Sequence, residues 1–385
     1  MNRISAVYLA ACGLLTLAIA MGVGRFAFTP ILPMMQNDHG LSLRLAGLLA
    51  SSNYVGYFAG ALSAIWMRVT PRVIVRSSLL AIAVLTAAMG VVHTPWAWML
   101  LRALAGLASA WILIFASAYI LEQLAAQNRK ALGGVVFGGV GSGIALTGIL
   151  CLLFLNLSWT ADYAWIAAGA VALLLAVPCW PAYAAATQAR PKAQAGSSPL
   201  RLRKFSLVII CYGIFGFGYI IPATFLPAMA RQIVPDPAVF GWVWPVFGTM
   251  ALLSTLAAGW LSSRFPNRLI WATSHAIMAI GVVMPVVQPG AFGIALSACL
   301  VGGTFMVATM TGLQEARALG KEHAPRLMAS ITTAFAIGQI AGPLLVSLAA
   351  GSAGGMDMIL MGDAVLLLGS GALLAAGVKK RQQQQ

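Results

Sequence analysis

The chain has 385 residues, of which 61% are hydrophobic and only 8% are charged, and its mean hydropathy is +0.91. Soluble domains carry about 25% charged residues, so this composition is that of a protein that crosses a membrane many times. The formal net charge of +15 does not indicate a nucleic-acid partner, because the basic residues lie in short loops between apolar segments.

The first apolar segment resembles a secretory signal, because Arg3 precedes an apolar run that ends in the A-x-A triplet 18–20. The run continues past that triplet, and a later segment repeats its far end. We therefore interpret it as the first membrane helix, and we expect this long helix to be tilted or kinked near Pro30 and Pro33.

Twelve apolar runs are long enough to cross a bilayer, which takes about 20 residues. They cover residues 5–35, 43–66, 75–92, 95–122, 133–155, 162–184, 205–230, 239–263, 269–287, 291–314, 327–350 and 357–378. Five cysteines are scattered through these runs without a C-x-x-C pair, which favours small buried apolar residues over disulfides or a metal site.

The basic residues predict the orientation of the chain in the membrane. An even number of spans places both termini on one side of the membrane. Of the 23 Lys and Arg, 19 lie at the termini or in the loops on that same side. The opposite loops hold only Arg44 and Arg231, whereas Arg25 and Arg102 lie within spans. By the positive-inside rule both termini are expected in the cytoplasm.

The longest basic loop, residues 186–204, is rich in Ala, Ser and Pro and is predicted to be a cytoplasmic linker. It separates an N-terminal six-helix half, residues 1–185, from a C-terminal six-helix half, residues 205–385. The halves repeat each other: GVGRFAFTPILPMM from Gly22 aligns with GFGYIIPATFLPAM from Gly216, and Arg25 then faces Tyr219. A same-direction repeat of six spans implies an axis along the membrane normal.

Several motifs resemble those of the major facilitator superfamily (MFS). RALAGLASA (102–110) resembles its helix 4 motif, GWLSSRFPNR (259–268) its helix 8–9 loop, and GQIAGP (338–343) its glycine-rich helix 5 motif in a helix 11 copy. The helix 2–3 loop departs from the family pattern, since no acid follows Gly60. The resemblance implies an all-α membrane protein of twelve helices in two halves, with helices 1, 4, 7 and 10 around a central cavity.

Three stretches are similar to the YbfB/YjiJ group of bacterial transporters, and the likeness spans nearly the whole chain. They are GVGRFAFTPILPMM, SSNYVGYFAG (51–60) and YGIFGFGYIIPATFLPAMA (212–230). The resemblance implies a secondary transporter of the bacterial inner membrane, without a cofactor, whose partners are a small-molecule substrate and membrane lipid. We expect no nucleic-acid partner, and a monomer.

Arg25 and Arg102 are the candidate substrate-binding cations. An arginine at the centre of a membrane helix costs roughly 2.5–3.5 kcal/mol, and no Asp or Glu lies within predicted helices 1 to 3. Their depths below the outer ends of helices 1 and 4, roughly 15 and 10 Å, allow both to face the outer half of one cavity. The hypothesis is that one or both bind an anionic group such as a carboxylate. The alternative is that they bind carbonyls and water and hold helices together.

Other polar side chains of the spans are candidates for the same pocket, with interhelical hydrogen bonding as the alternative for each. They are Asn53, Tyr54, Tyr57, Tyr212, Tyr219, Thr309 and Gln314. Gly22, Gly24, Gly216 and Gly218, with Pro33 and Pro227, are predicted to let the outer ends of helices 1 and 7 act as the outer gate.

The mechanism of energy coupling stays open. Asp363 and His275 lie in helices 12 and 9, where structural roles are favoured over a proton relay. A weakly acidic substrate could carry the proton itself, and facilitated diffusion is the alternative. No ATP-binding loop or catalytic cluster occurs, so an enzyme is not expected, and a channel or sensor is less favoured. Among transporters, a carrier of one small organic anion competes with broad-specificity efflux of amphipathic, drug-like or sugar-like compounds.

Overall fold

The computed structural model describes residues 5–64, 66–184, 205–234, 236, 240–320, 323–352 and 354–382. Twelve long helices run through this part of the chain, and no strand occurs among the described residues. The helices are α1 (Ala6–Asp38), α2 (Leu43–Ser63), α3 (Pro71–Ala88), α4 (Pro95–Ala126), α5 (Gly133–Asn156), α6 (Ala161–Cys179), α7 (Ser206–Ile233), α8 (Val243–Arg264), α9 (Asn267–Val287), α10 (Ala291–Gly320), α11 (Ala324–Ala349) and α12 (Gly355–Gln382). The predicted linker, residues 186–204, lies outside the described residues.

Among the described residues, eleven of these helices are long and apolar enough to cross a membrane. The remaining one is α2, whose 21 residues include Ser51, Ser52 and Asn53. Its length still suits a bilayer. Its polar residues lower its mean hydropathy below that of the other eleven helices.

Helix α1 changes its backbone geometry near its middle, and the irregular segment ends four residues before Pro30. Its middle turns, Ala18–Phe26, form a π-helix between an α-helical start at Ala6–Leu17 and an α-helical end at Phe28–Asp38. A π segment leaves backbone carbonyls out of the regular helical ladder, and such segments are frequent at functional sites. Pro33 lies inside the regular end segment. The departure from regular geometry therefore surrounds Arg25.

The two halves show the predicted repeat in their packing. In the N-terminal half, Gly139 and Gly143 of α5 lie against the backbone of α1. In the C-terminal half, Gly338 and Gly342 of α11 lie against α7. The glycine-rich segments of α5 and α11 thus make the equivalent helix contact in each half. The predicted all-α fold of two like six-helix halves is confirmed.

The halves meet mainly along two helix pairs, α5 with α8 and α2 with α11, and the end of α1 also packs against α7. We call the side where α1 and α7 begin the terminal face, and the side where they end the far face. At the far face the halves are joined by side-chain hydrogen bonds to backbone carbonyls. Thr29 Oγ1 donates to the Ala223 carbonyl at 2.7 Å, and Ser51 Oγ to the Ile340 carbonyl at 3.1 Å.

Candidate functional site

A cavity of about 870 Å³ lies between the halves. The cavity extends from Arg25, in the middle of α1, to the terminal face. There its wall includes Trp66 and Arg68, two exposed residues that follow α2. Further lining residues include Met21, Phe26, Tyr57, Phe58, Leu113, Ser117, Phe137, Tyr219, Phe305, Met306, Thr309, Met328, Thr332, Thr333 and Phe335. The cavity is thus mostly aromatic and apolar, with Arg25 as the cation at its deep end.

The Arg25 guanidinium is almost fully buried and has no anionic partner among the described residues. The side chain is 2% exposed, and its Nε and Nη2 atoms are buried without a hydrogen-bond partner. Its central carbon lies 4.0 Å from the ring centroid of Tyr57 and 5.2 Å from those of Tyr54 and Phe26. These rings stabilise the cation through their faces, but they leave its N–H groups without oxygen acceptors.

The backbone around Arg25 is held by polar side chains of α2 and α4. Ser109 Oγ donates to the Ala20 carbonyl at 2.7 Å, and Asn53 Nδ2 donates to the Gly24 carbonyl at 3.1 Å. Arg102 Nη2 donates to the carbonyl of Arg25 itself at 2.9 Å. The π segment is thereby anchored by three neighbouring side chains, and the direction of the Arg25 side chain is fixed with it.

Arg102 is therefore placed differently from the expectation that both arginines face one cavity. It is 2% exposed, is not part of the cavity wall, and lies 4.9 Å from the Phe28 ring centroid. Its contacts are those of the alternative interpretation, in which an arginine binds carbonyls and holds helices 1 and 4 together. Its long side chain points at the backbone of α1, a direction that the sequence spacing does not specify.

The other candidate residues divide into two groups. Tyr57, Tyr219 and Thr309 line the cavity together with Arg25. The other four contact other helices or lie at the surface. Asn53 Nδ2 also donates to the Arg102 carbonyl at 2.8 Å, and the Tyr54 hydroxyl lies 3.2 Å from Thr224 Oγ1. The Tyr212 hydroxyl donates to the Thr309 carbonyl at 3.2 Å, and Gln314 is exposed.

The residue that the repeat matches to Arg25 belongs to an aromatic wall in the C-terminal half. The Tyr219 ring stacks on Phe305 and Phe335, with centroids 5.4 and 5.6 Å apart and planes within 9°. Its hydroxyl accepts a hydrogen bond from Gln339. The two halves thus contribute unlike surfaces to the cavity, a cation from one and a flat aromatic face from the other.

The predicted gate glycines lie in close helix contacts near the depth of Arg25, and Pro33 and Pro227 lie nearer the far face. A Cβ on Gly22 would lie 2.5 Å from Gly143 Cα, one on Gly24 2.5 Å from Ser109 Oγ, and one on Gly218 2.9 Å from Asp363 Oδ1. Gly216 lies against the Phe335 backbone. Pro33 and Pro227 are buried, and the Pro33 carbonyl accepts a hydrogen bond from Arg231 of the other half.

Asp363 and His275 lie behind α7 rather than on the cavity wall. His275 Nε2 accepts from the Trp271 indole at 2.8 Å, and its Nδ1 lies 3.0 Å from Ser370 Oγ, so both ring nitrogens have partners within the bundle. Asp363 is 1% exposed, and its two carboxylate oxygens have no hydrogen-bond partner among the described residues.

Sequence reasoning did not identify the apolar part of the cavity. Phe137, Phe305, Phe335 and Met306 form its walls, yet in a chain this apolar they do not differ from residues that face lipid. Ser117 was also missed, and its buried hydroxyl in the wall has no hydrogen-bond partner among the described residues. The helical period combined with the family's cavity helices could have identified some of them.

Comparison with known proteins identifies the family. Residues 17–378 match the model of a family described as "Uncharacterised MFS-type transporter YbfB". The chain belongs to this family. It is thus an MFS-type transporter and not an enzyme, as the motifs predicted.

A curated relative and two solved structures are similar over most of the YbfB-type chain. The chloramphenicol resistance protein of Streptomyces lividans is 28% identical over 355 residues, which is 87% of each chain. A bacterial homolog of the human lysosomal transporter Spinster, in an inward-facing and unoccupied conformation, is 14% identical with a TM-score of 0.71, covering 96% of each chain. A point mutant of the nucleoside transporter NupG is 15% identical with a TM-score of 0.68, covering 97% of this chain and 98% of its own. At these identities the two structures support the fold alone.

Proposed function

We propose that this transporter carries a small organic anion across the bacterial inner membrane by alternating access, and that Arg25 binds the anionic group. The observation behind the proposal is the position of Arg25. It is a buried guanidinium at the deep end of the cavity, and no carboxylate lies in the cavity wall among the described residues.

The energetics of the Arg25 side chain favour an anionic guest. An uncompensated buried charge costs several kcal/mol, whereas each ring in contact returns only about 0.5–2 kcal/mol. Nε and Nη2 are buried without a hydrogen-bond partner, and a planar acceptor with two oxygens would satisfy both. A carboxylate meets both requirements, since it neutralises the charge and accepts two parallel hydrogen bonds.

The form of the cavity supports an anion with an apolar body. The cavity wall also includes the stacked rings of Tyr219, Phe305 and Phe335. Thr309 lies on the same wall, and its hydroxyl donates to the Phe305 carbonyl at 2.8 Å, so it faces a ligand only as an acceptor. A ligand with a carboxylate at one end and an aromatic or branched aliphatic group at the other would satisfy both sides of the site.

We further propose that this structure represents the inward-facing state. The basic loops predict that the terminal face is cytoplasmic, and the cavity wall reaches that face at Trp66 and Arg68. The opposite, outer gate is the contact between the ends of α1 and α7. There Arg231 Nη2 donates to Asn37 Oδ1 at 2.9 Å, and Thr29 and Tyr54 contact α7. Rocking of the two halves would break these contacts and open the cavity outward.

A carrier of this kind needs no cavity carboxylate if the substrate itself is a weak acid. Such a substrate could enter with its own proton, or exchange for another anion. We therefore propose that the substrate itself carries any proton that is transported. Asp363 does not belong to the proposed transport site, because it lies behind Gly218 of α7.

Broad-specificity efflux of amphipathic compounds is the second candidate. It is favoured by the likeness to a chloramphenicol resistance protein and by a cavity wall that is largely aromatic and apolar. In that case the main role of Arg25 would be to stabilise the π segment. Neutral amphipathic compounds would then bind as well as anions of the same shape.

A thermal-shift screen of the purified protein decides between the candidates. Monocarboxylates with aromatic or aliphatic bodies are each tested beside the primary amide of the same skeleton, and the best ligand is then tested for counterflow in proteoliposomes. The anion proposal expects greater stabilisation by each carboxylate than by its amide, and loss of this difference in Arg25→Gln. Equal stabilisation by acid and amide, unchanged in Arg25→Gln, would favour efflux of neutral compounds and contradict the anion site.

A further inference from the structure

Two of the four histidines of the chain converge on one aspartate at the far face. His39 follows α1, His93 precedes α4, and Asp162 lies in the first turn of α6. His39 Nε2 lies 2.8 Å from Asp162 Oδ1, and His93 Nε2 lies 3.0 Å from Oδ2. This cluster lies outside the cavity and takes no part in the proposed transport site.

The spacing of these atoms is close to that of ligands around one metal ion. Zinc is bound by imidazole nitrogen and carboxylate oxygen at about 2.0–2.2 Å in a tetrahedral arrangement, so neighbouring ligands lie about 3.3–3.6 Å apart. The two nitrogen–oxygen distances are those of hydrogen bonds, slightly shorter than that spacing, and the three candidate ligand atoms all lie within 4.8 Å of one another. A small movement of the two imidazole rings would bring three of the four ligands of a tetrahedral zinc ion into place.

The charge of the cluster also suits a cation. Two neutral imidazoles and one carboxylate carry a net charge of −1, and among the described residues Asp162 makes no ion pair with Lys or Arg. The three side chains remain accessible, with exposed fractions of 20% for His39, 51% for His93 and 30% for Asp162. An ion could therefore enter from solution and keep water in its open positions.

The cluster is supported by further contacts that fix two of its members. Asp38 Oδ2 accepts a hydrogen bond at 2.6 Å from the Ala161 backbone N–H, next to Asp162. The Trp98 ring lies edge-on to His39, with centroids 5.5 Å apart, and its indole N–H donates to the Met89 carbonyl at 3.0 Å. Such supporting contacts orient metal ligands and reduce the rearrangement that binding requires.

We propose that His39, His93 and Asp162 form a binding site for one divalent transition-metal ion, of which Zn²⁺ fits best. Two imidazoles with one carboxylate and open positions are a ligand set that suits zinc, whereas magnesium and calcium prefer all-oxygen sites. The ion would tie together the ends of α1, α4 and α6 at the far face.

Calorimetric titration of the untagged full-length chain in detergent, stripped with EDTA and then titrated with ZnSO₄, tests the site. We expect one Zn²⁺ per chain, and at least about tenfold weaker binding in His39→Ala, His93→Ala and Asp162→Asn. His323→Ala, a histidine at the start of α11 on the terminal face, is the matched control and should bind as the parent does. Binding unchanged in both His39→Ala and His93→Ala, or absent from the parent, would overturn the proposal.

A second measurement keeps the test independent of whether the variants fold. The unchanged chain is modified with diethyl pyrocarbonate, with and without Zn²⁺, and the modified histidines are mapped by mass spectrometry. The site predicts that Zn²⁺ protects His39 and His93 but not His323. Equal modification of His39 and His93 in both conditions would contradict it.

Discussion

Gly47 offers a substitution that should act on one conformational state. It lies on α2 at the contact between the halves, on the far-face side of Arg25. A Cβ at this position would lie 2.5 Å from the Pro343 carbonyl oxygen and 2.8 Å from Ser347 Cβ, both on α11 of the other half. The overlap exists only while the far face is closed, since the two helices belong to different halves.

The magnitude of the effect follows from this overlap. Extra methyl groups in well-packed contacts cost about 1–3 kcal/mol when the neighbours cannot yield, and here the nearest atom belongs to the backbone. Applied to the closed far face alone, this cost shifts the population about 5- to 150-fold toward the state whose far face is open. Gly47→Ala should therefore open the far face without loss of the fold.

Distances between spin labels on the far face measure the shift. Labels are attached to cysteines placed at Val91 and Phe292, which are 66% and 68% exposed and lie in different halves, in a chain whose five native cysteines are replaced. Double electron–electron resonance spectroscopy should show that a longer distance between the labels becomes dominant in Gly47→Ala. If the distribution stays that of the parent, the far-face contact is not specific to one state.

Two further glycine variants control for general effects on stability. In Gly60→Ala the new Cβ would lie 2.6 Å from the Leu107 carbonyl oxygen, within the N-terminal half, so we expect a lower melting temperature and an unchanged label distance. In Gly369→Ala nothing lies within 4 Å, so neither quantity should fall. A label distance that lengthens in Gly60→Ala as well would mean that loosened packing, not the gate, produces the shift.

Three other predictions concern residues placed by the structure. Arg102→Lys keeps the charge but cannot hold the Arg25 carbonyl as the guanidinium does at 2.9 Å. Scanning fluorimetry should therefore show a lower melting temperature. An unchanged melting temperature would mean that the π segment does not need this contact. Thr333→Trp fills the cavity wall at an exposed position, so counterflow of the ligand should fall while the melting temperature holds; full transport would contradict the assigned pathway. Asp363→Asn removes a buried carboxylate without hydrogen-bond partners among the described residues, so the melting temperature should stay equal or rise; a large fall would show that the charge has a partner.

The sequence was sufficient for the fold because its signals are local or repeated. The apolar runs predicted the helices, and the match of Gly22 with Gly216 predicted the two like halves before their packing was known. The same repeat singled out the pair of Arg25 and Tyr219, which both line the cavity.

The site was predicted less completely, because side-chain direction in an apolar helix leaves little trace in sequence. Arg102 and Asn53 are polar residues in spans, like Arg25, yet they bind backbone carbonyls of α1. That role depends on the π segment, and no proline or glycine pattern distinguished it from a proline kink. The aromatic wall was hidden because Phe305 and Phe335 have the composition of any membrane helix.

The central claim is that the Arg25 guanidinium meets an anionic group of the substrate. Calorimetric titration of a carboxylate and its matched amide, against the parent and Arg25→Gln, forms a double-mutant cycle that isolates this one contact. We expect the acid to lose about 10- to 150-fold in affinity on Arg25→Gln, the value of a charge-assisted hydrogen bond of about 1.5–3 kcal/mol, while the amide changes little. Equal losses for acid and amide, or none for either, would contradict the account.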